Sequence, residues 1–447
     1  MAGTTSLPQG PSAPSFYQSL GWQTRPIPYM EQCRRRYGKE FTLRLLGIEP
    51  FVMLSRPEDV KAVFTAPPEV LHPGEGAIVL EPVVGPNSIL LLDEGRHIAQ
   101  RKLLLPAFHG EKMEALRDVI TEVAEAEVDT WSLDEPVELH PYMQKLTLEV
   151  ILRAVFGLER GERLDTLREL LSEMVAFAMS PTSLFPQMKL LDMFHPTVKR
   201  FLAVREATNL QIQGLIDDRR ASPGGDDVLS MMLLARHEDG SPMSDEELRD
   251  ELMTLLVAGH ETTATELSWA FERLVRNPGS MSALVSDIDS GDADYVTATI
   301  RETLRLRPVL SIAAPRKVMS EIEVGGRVYE PGCHLCPNAY LMHHDADVYP
   351  DPYAFRPERF LEQDPGTYTW IPFGGGRRRC LGASFATLEM DIVLRAILSR
   401  MQVEASSGTL EAHRRRMITV VPGEGAKAIL KTRKPSGSEA AEPTPTL

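Results

Sequence analysis

A helical pattern of more than 30 residues does most to limit what this chain can fold into. Ser244 is a good N-cap and Glu247 stands at the third helical position, which completes a capping box. The pattern then runs through LMTLLVAGHETTATELSWAFERLVR to Pro278. At 1.5 Å per residue it spans roughly 45–50 Å, enough to cross a whole domain. Its middle should be its most buried part, yet it reads Ala258-Gly259-His260-Glu261-Thr262-Thr263. A glycine there costs up to about 1 kcal/mol against alanine, and buried polar groups cost more unless they are paired. Either the helix bends locally, with Thr262 or Thr263 bonded back to the preceding turn, or something flat lies against the helix at Gly259 and the polar groups face it.

The rest of the chain predicts a mainly α protein with small antiparallel sheets. EFTLRLLGIEPFVML alternates about Gly47 as a hairpin, and residues 94–276 are mostly helical, broken by proline-rich loops such as SPTSLFPQM and ASPGGDD. Strand-like alternation returns in RKVMSEIEVGGRVYEPGCHL. No repeat or long linker divides the 447 residues. The expectation is a loosely ordered arm over 1–25, one domain over 26–432 and a disordered tail over 433–447. The net charge of −15 gives no general attraction to nucleic acid. No apolar stretch approaches the roughly 20 residues of a membrane span, and MAGTTSLPQGPSAPSF lacks the apolar segment of a signal peptide or anchor. Four cysteines, Cys33, Cys333, Cys336 and Cys380, are too few for a disulfide scaffold and fit a reducing cytoplasm.

Cys380 stands apart from the other three. It lies in FGGGRRRCLG, directly behind Arg377, Arg378 and Arg379 and ahead of an amphipathic helix. Nearby positive charge and a helix N-terminus both favour a thiolate, and the glycines let backbone amides approach the sulfur. A thiolate tuned in this way suits a metal ligand. A single cysteine on one flat face suits haem iron, where it pushes electron density toward O–O cleavage.

With F-x-x-G-x-R-x-C-x-G spelled out by Phe373, Gly376, Arg378, Cys380 and Gly382, and Gly374 directly behind the phenylalanine, the sequence resembles the cytochrome P-450 family of haem-thiolate monooxygenases. The likeness covers residues 26 to 432, and four motifs follow in the family's order. It implies that Cys380 ligates the iron of haem b. The stretch Ala258-Gly259-His260-Glu261-Thr262 matches the family's [AG]-G-x-[DE]-T, in which the glycine lets the helix lie against the haem and the acid and threonine guide protons. Glu302 and Arg305 match E-x-x-R and, with Arg359 of the P-E-R-F segment, imply a buried ion network. His97 and Arg101 match H-x-x-x-R and, with Arg316 and Arg378, imply contacts to the haem propionates. Arg378 would turn inward, leaving Arg377 and Arg379 outward to meet a redox partner. Taken alone, E-x-x-R at this spacing is more often a solvated surface pair; the cysteine signature and the order of the motifs carry the weight.

Other chemistry fits less well. His260-Glu261 begins an H-E-x-x-H zinc motif, but Ala264 stands where the second histidine is needed. Cys333-His334-Leu335-Cys336 is half a zinc site at most, and on a strand its sulfurs point to opposite faces. A haem gas sensor would not need an acid at 261, and the family's peroxide-driven hydroxylases tend to lack the acid–threonine pair. The resemblance therefore implies a monomeric, cytoplasmic enzyme that inserts one oxygen atom from O2 into a lipophilic small molecule (a terpenoid, fatty acid or steroid) by hydroxylation or epoxidation. Its electrons would come from a separate ferredoxin or flavodoxin with an NAD(P)H-dependent reductase.

Overall fold

The computed structural model describes residues 6–108, 110–159, 161–178 and 196–433. The proline-rich stretch 180–188 and nearly all of the expected tail lie outside them. Helices dominate. Those that position the site are α1 (Ser15–Thr24), α2 (Pro26–Tyr37), and, after strands β1 (Glu40–Leu43), β2 (Phe51–Leu54) and β3 (Leu71–His72), helices α3 (Glu94–Leu104), α4 (Glu111–Val128), α5 (Leu139–Phe156), α6 (Asp245–Leu274) and α7 (Asp294–Leu306). Strands β4 (Arg316–Val318) and β5 (His334–Pro337) follow, then α8 (Ala383–Leu398) and the hairpin β6 (His413–Arg416) and β7 (Thr419–Pro422).

The long helix begins where the sequence places it. Ser244 Oγ accepts from the Glu247 amide at 3.2 Å, and the Glu247 carboxylate accepts from the Ser244 amide at 2.8 Å. Asp245, Glu246 and Glu247 in the first turn complement the helix dipole. The element runs 30 residues, and every residue from Thr263 to Leu274 is buried. It packs along α5, while α8 packs against α4, and the apolar faces of all four helices share one large core cluster.

The hairpin about Gly47 forms, with Phe41 opposite Met53. It belongs to a five-stranded sheet ordered β1-β2-β5-β4-β3. Most of its pairs run antiparallel; β2 and β5 run parallel, a pairing that reaches across most of the chain. Cys333 and Cys336 lie in apolar clusters on opposite sides of this sheet, as strand alternation requires.

The arm is not loose over residues 6–25, contrary to the sequence expectation. Thr42 of β1 donates its hydroxyl to the Pro8 carbonyl at 2.7 Å and its amide to the Gln9 carbonyl at 3.2 Å. Residues 15–24 form α1, in which Gln18 and Trp22 are buried. Gln18 bridges Ala13 to Arg44, and the Arg415 guanidinium lies 4.6 Å over the Trp22 ring. These partners come from β1 and from β6, the latter nearly 400 residues away in sequence, so composition could not reveal them.

Candidate functional site

The loop Phe373–Gly382 is shaped by glycine. Gly374 and Gly376 take φ of 66° and 64°, the left-handed region that favours glycine, and the Cys380 amide closes the loop on the Phe373 carbonyl at 2.9 Å. A side chain at Gly375 or Gly376 would collide with Phe64, at 2.3 and 2.2 Å, whereas one at Gly382 would meet nothing within 4 Å. Cys33, Cys333 and Cys336 are buried, but Cys380 keeps open surface although it lies deep in the molecule. Its thiol therefore faces a hollow and not packed neighbours. Burial pushes its pKa up; the Gly382 amide pointing at the sulfur, with Arg101 and Arg379 nearby, opposes that rise.

The middle of α6 also faces open space. Ala258 is exposed and Leu255, Gly259 and Thr262 are half-buried, in a helix whose next turns are closed. These positions lie three or four apart and form one face. A Cβ at Gly259 would come 2.8 Å from the tip of Ile151 on α5, so the glycine serves the approach of α5, and Ala258 and Thr262 carry the open strip. Both threonines bond back as the sequence allowed: Thr262 to the Ala258 carbonyl at 2.7 Å and Thr263 to that of Gly259 at 3.0 Å.

Glu261 is turned toward α5 and the β6–β7 hairpin. Gln144 donates to its Oε2 at 2.6 Å, and its Oε1 lies 3.2 Å from Arg416 Nη1 and 3.5 Å from His140 Nε2. Burial alone would raise its pKa, but His140, Arg416 and His260 outweigh that and hold it below the usual carboxylate range.

A third part is a concentration of positive charge. His97 and Arg316 are buried, and Arg101 and Arg378 half-buried. Burial, then Arg378 and Arg101, push His97 down to about 3, so it is neutral. Burial and Arg378 bring Arg316 down to about 9; it stacks 4.7 Å over Phe64 and donates to the Ala314 carbonyl at 3.1 Å. Arg378 meets Asp93 at 2.6 Å and the Leu92 carbonyl. No carboxylate lies within 4 Å of Arg101 or Arg316 among the described residues. Such a cluster calls for an anion. An inward thiol, an open apolar strip on a buried helix and cations short of partners fit iron protoporphyrin, which brings an iron, a flat face and two propionates.

Comparison with known proteins decides the family. The description "Cytochrome P450" matches residues 8–427. The chain belongs to the cytochrome P450 family. It is 37% identical over 438 residues to the Mycobacterium tuberculosis protein carrying the name cytochrome P450 135B1, covering 96% of this chain and 92% of that one. It is 36% identical over 430 residues to cytochrome P450 138 of the same species, covering 96% and 97%. Among solved structures, "Retinoic acid bound cyanobacterial CYP120A1" superposes with a TM-score of 0.82 at 21% identity, over 96% of this chain and all of that one. "Crystal structure of cytochrome P450DA heme domain" gives 0.83 at 22%, over 97% and 99%. These likenesses show the P450 fold. The chain is thus a P450 monooxygenase, a haem b enzyme that uses O2, a substrate and redox partners. No helix among the described residues is long and apolar enough to cross a membrane, and no cluster of three or more His, Cys, Asp or Glu among them is set to hold a metal ion.

In this P450 the Glu–Arg motif is not a surface pair. The Glu302 and Arg305 side chains are fully buried and joined by two hydrogen bonds of 2.6 and 2.9 Å. Arg359 joins Glu302 at 3.1 Å, and the Arg356 amide donates to the same carboxylate at 2.8 Å. Arg305 also satisfies the carbonyls of His343, Pro352 and Ala354. Sequence reasoning missed His343. Its Nδ1–H donates to the Arg305 carbonyl at 3.0 Å, and its Nε2 accepts from the Ile371 amide at 2.9 Å. It thereby ties the ion network to the start of the Cys380 loop, and burial pushes its pKa down to about 3. Also missed were two buried carboxyls of α6, each raised by burial to about 8. Glu251 holds the Ile89 amide at 2.8 Å and Gln100 of α3 at 3.0 Å, and Glu266 holds the Val309 amide at 2.8 Å. The only sequence signal was an acid at an apolar-face position of α6.

Proposed function

We propose that this P450 oxidises a lipophilic small molecule, of the terpenoid, fatty-acid or steroid class, by hydroxylation or epoxidation. Cys380 holds the haem iron; His97, Arg101, Arg316 and Arg378 take its propionates, with Asp93 setting the pose of Arg378; Ala258 and Gly259 belong to the helix that flanks the ring, and Phe373, Gly374 and Gly382 frame the sulfur. The observation that carries this reading is the thiol of Cys380, deep in the molecule yet open, with the Gly382 amide aimed at it. When bound, haem supplies the oxygen chemistry: with O2, two electrons and two protons, one oxygen atom enters the substrate and the other leaves as water. The protein's share is to hold the substrate, exclude water and time the protons. The apolar segments at 77–92 and 309–314, which Glu251 and Glu266 staple to α6, support a lipophilic substrate, with Ile78, Val79 and Leu90 exposed. Four free cysteines support a cytoplasmic location.

Thr262 holds the proton-donating position on the open strip. Thr262→Ala is expected to bind haem and substrate and to consume reducing equivalents, while most of the reduced oxygen leaves as hydrogen peroxide. Product per electron pair should fall by about tenfold or more, given what general acid–base groups typically contribute. Full product yield in a variant with an intact haem spectrum would make the hydroxyl structural. Titration of the haem absorption spectrum with a lipophilic library would identify the substrate class.

Electrons arrive from a separate ferredoxin or flavodoxin served by an NAD(P)H-dependent reductase. Arg377 and Arg379 are exposed beside the ligand loop, where they suit an acidic donor. Replacing both with Glu should slow reduction by an acidic ferredoxin by about tenfold at low salt and remove most of the salt dependence. Unchanged reduction kinetics would leave them a solvated pair.

A further inference from the structure

Glu266 is an acid with no charge to answer it. It stands one helical turn beyond Thr262, which stands one turn beyond Ala258, so the three share the face of α6 that carries the open strip. Ala258 and Thr262 keep open surface, whereas Glu266 is only 3% exposed. Burial raises its pKa to about 8, and among the described residues the Val309 amide alone opposes that rise. At neutral pH it is therefore mostly an uncharged acid. One of its oxygens accepts from the Val309 amide at 2.8 Å; the other meets no partner among the described residues.

Val309 begins the apolar segment 309–314. Leu310 and Ile312 are half-buried and Ala314 is exposed, while Val309, Ser311 and Ala313 between them are buried. The open residues thus alternate with anchored ones. The Ser311 carbonyl accepts from the Tyr340 amide at 3.1 Å, and the Ala313 amide donates to the Pro337 carbonyl at 2.8 Å, which fixes the far end to β5 and the turn after it. At the near end the anchors are α6 and β7. The Val309 carbonyl accepts from the Val420 amide at 2.9 Å, and the Val420 carbonyl accepts from the Trp269 indole at 2.9 Å. Glu266 and Trp269, three apart on α6, therefore hold the two ends of one bridge, Val309 to Val420. The exposed Ile418 of the hairpin tip lies two residues before Val420.

We propose that Glu266 is a specificity-determining positioning residue: it fixes how far the 309–314 segment and the β6–β7 tip stand from Thr262, and so the bulk of the group the site admits there. This rests on the reading above, in which the open strip of α6 faces haem and substrate. Without the acceptor, the Val309 N–H is stranded among apolar groups. A buried donor left without a partner costs more than the bond itself contributed, so the segment moves until the amide is satisfied. Leu310 and Ile312 move with it, while Thr262 stays where its own helix puts it.

Two probes separate this role from a general loosening of the fold. Imidazole coordinates haem iron through one nitrogen and is too small to reach the walls; 1-phenylimidazole coordinates in the same way and carries a ring into the space beside the strip. In Glu266→Leu, which keeps a good helix former and removes the acceptor, absorption titration of the haem-loaded protein should show imidazole binding as in the wild type and 1-phenylimidazole binding weakened about tenfold. Glu266→Gln keeps an oxygen for Val309 and should bind both probes as the wild type does. Equal affinities for 1-phenylimidazole in wild type and Glu266→Leu, or equal losses in Glu266→Leu and Glu266→Gln, would overturn the proposal. A second measurement does not depend on haem: hydrogen exchange at the Val309 amide should quicken about tenfold in Glu266→Leu and not in Glu266→Gln, and unchanged exchange in Glu266→Leu would also overturn it. If imidazole left the wild-type haem spectrum unshifted, the reading of the strip as the haem face would fall, and the proposal with it.

Discussion

Cys380→Ala is expected to abolish the red-shifted Soret band that thiolate ligation gives the reduced CO complex, whereas Cys33→Ala, Cys333→Ala and Cys336→Ala should keep it. The difference lies in what surrounds each sulfur. Burial raises Cys33 and Cys333 to about 11 and Cys336 further, so all three are neutral thiols packed among apolar side chains. Burial raises Cys380 too, but here the Gly382 amide, Arg101 and Arg379 stabilise the anion, and the residue has open surface. Amides and cations aimed at a sulfur lower the cost of its charge, and an iron ion coordinated to it lowers that cost further. The effect should be all or none. A thiolate-type spectrum surviving in Cys380→Ala would show that another residue ligates the iron.

Glu302→Gln should lose a large part of the stability margin of the fold. The substitution keeps the volume and leaves an oxygen for the Arg356 amide, so it isolates the charge. Arg305 has no exposed surface and Arg359 little, and both turn to the same carboxylate. Removing that carboxylate leaves two buried guanidiniums with only carbonyls and the Tyr349 ring, 5.1 Å from Arg305, to face. Breaking a buried pair in this way costs about 3–5 kcal/mol, against a total stability of about 5–15 kcal/mol for a native protein. The damage should reach the site, because Arg305 carries the His343 carbonyl and His343 carries the Ile371 amide ahead of the Cys380 loop. A urea titration should show the midpoint falling, and the purified protein should hold less haem per chain. A midpoint within error of the wild type would mean that the carbonyl contacts alone satisfy both arginines.

Much of this molecule was legible in one dimension. The capping box at Ser244 and Glu247, the hairpin about Gly47 and the opposed sulfurs of Cys333 and Cys336 follow from local rules of spacing and handedness, and local rules need only neighbours in sequence. The cysteine signature was legible for a related reason, since its glycines and arginines act on a sulfur within a few residues.

What the sequence could not decide was which distant groups meet. Glu302 and Arg305 read as a surface pair until the fold closes around them, because burial is a property of the assembled helices and not of their spacing. The arm reads as loose, yet Thr42 and Arg415 hold it. Gly259 reads as a berth for a flat ligand, while its missing side chain makes room for Ile151. Arg378 was expected to await an anion and already has Asp93 beside it. Glu261 reads as half of a pair with Thr262, but the fold turns it toward His140, Gln144 and Arg416, which come from two other elements. A charge in a protein is set by the few ångströms around it, and those ångströms are filled by chain that lies tens to hundreds of residues away. The sequence by itself therefore determined the elements and the family of the chemistry; only the tertiary structure decided which groups hold the acid on α6, because Coulomb forces and desolvation depend on distance in space and not along the chain.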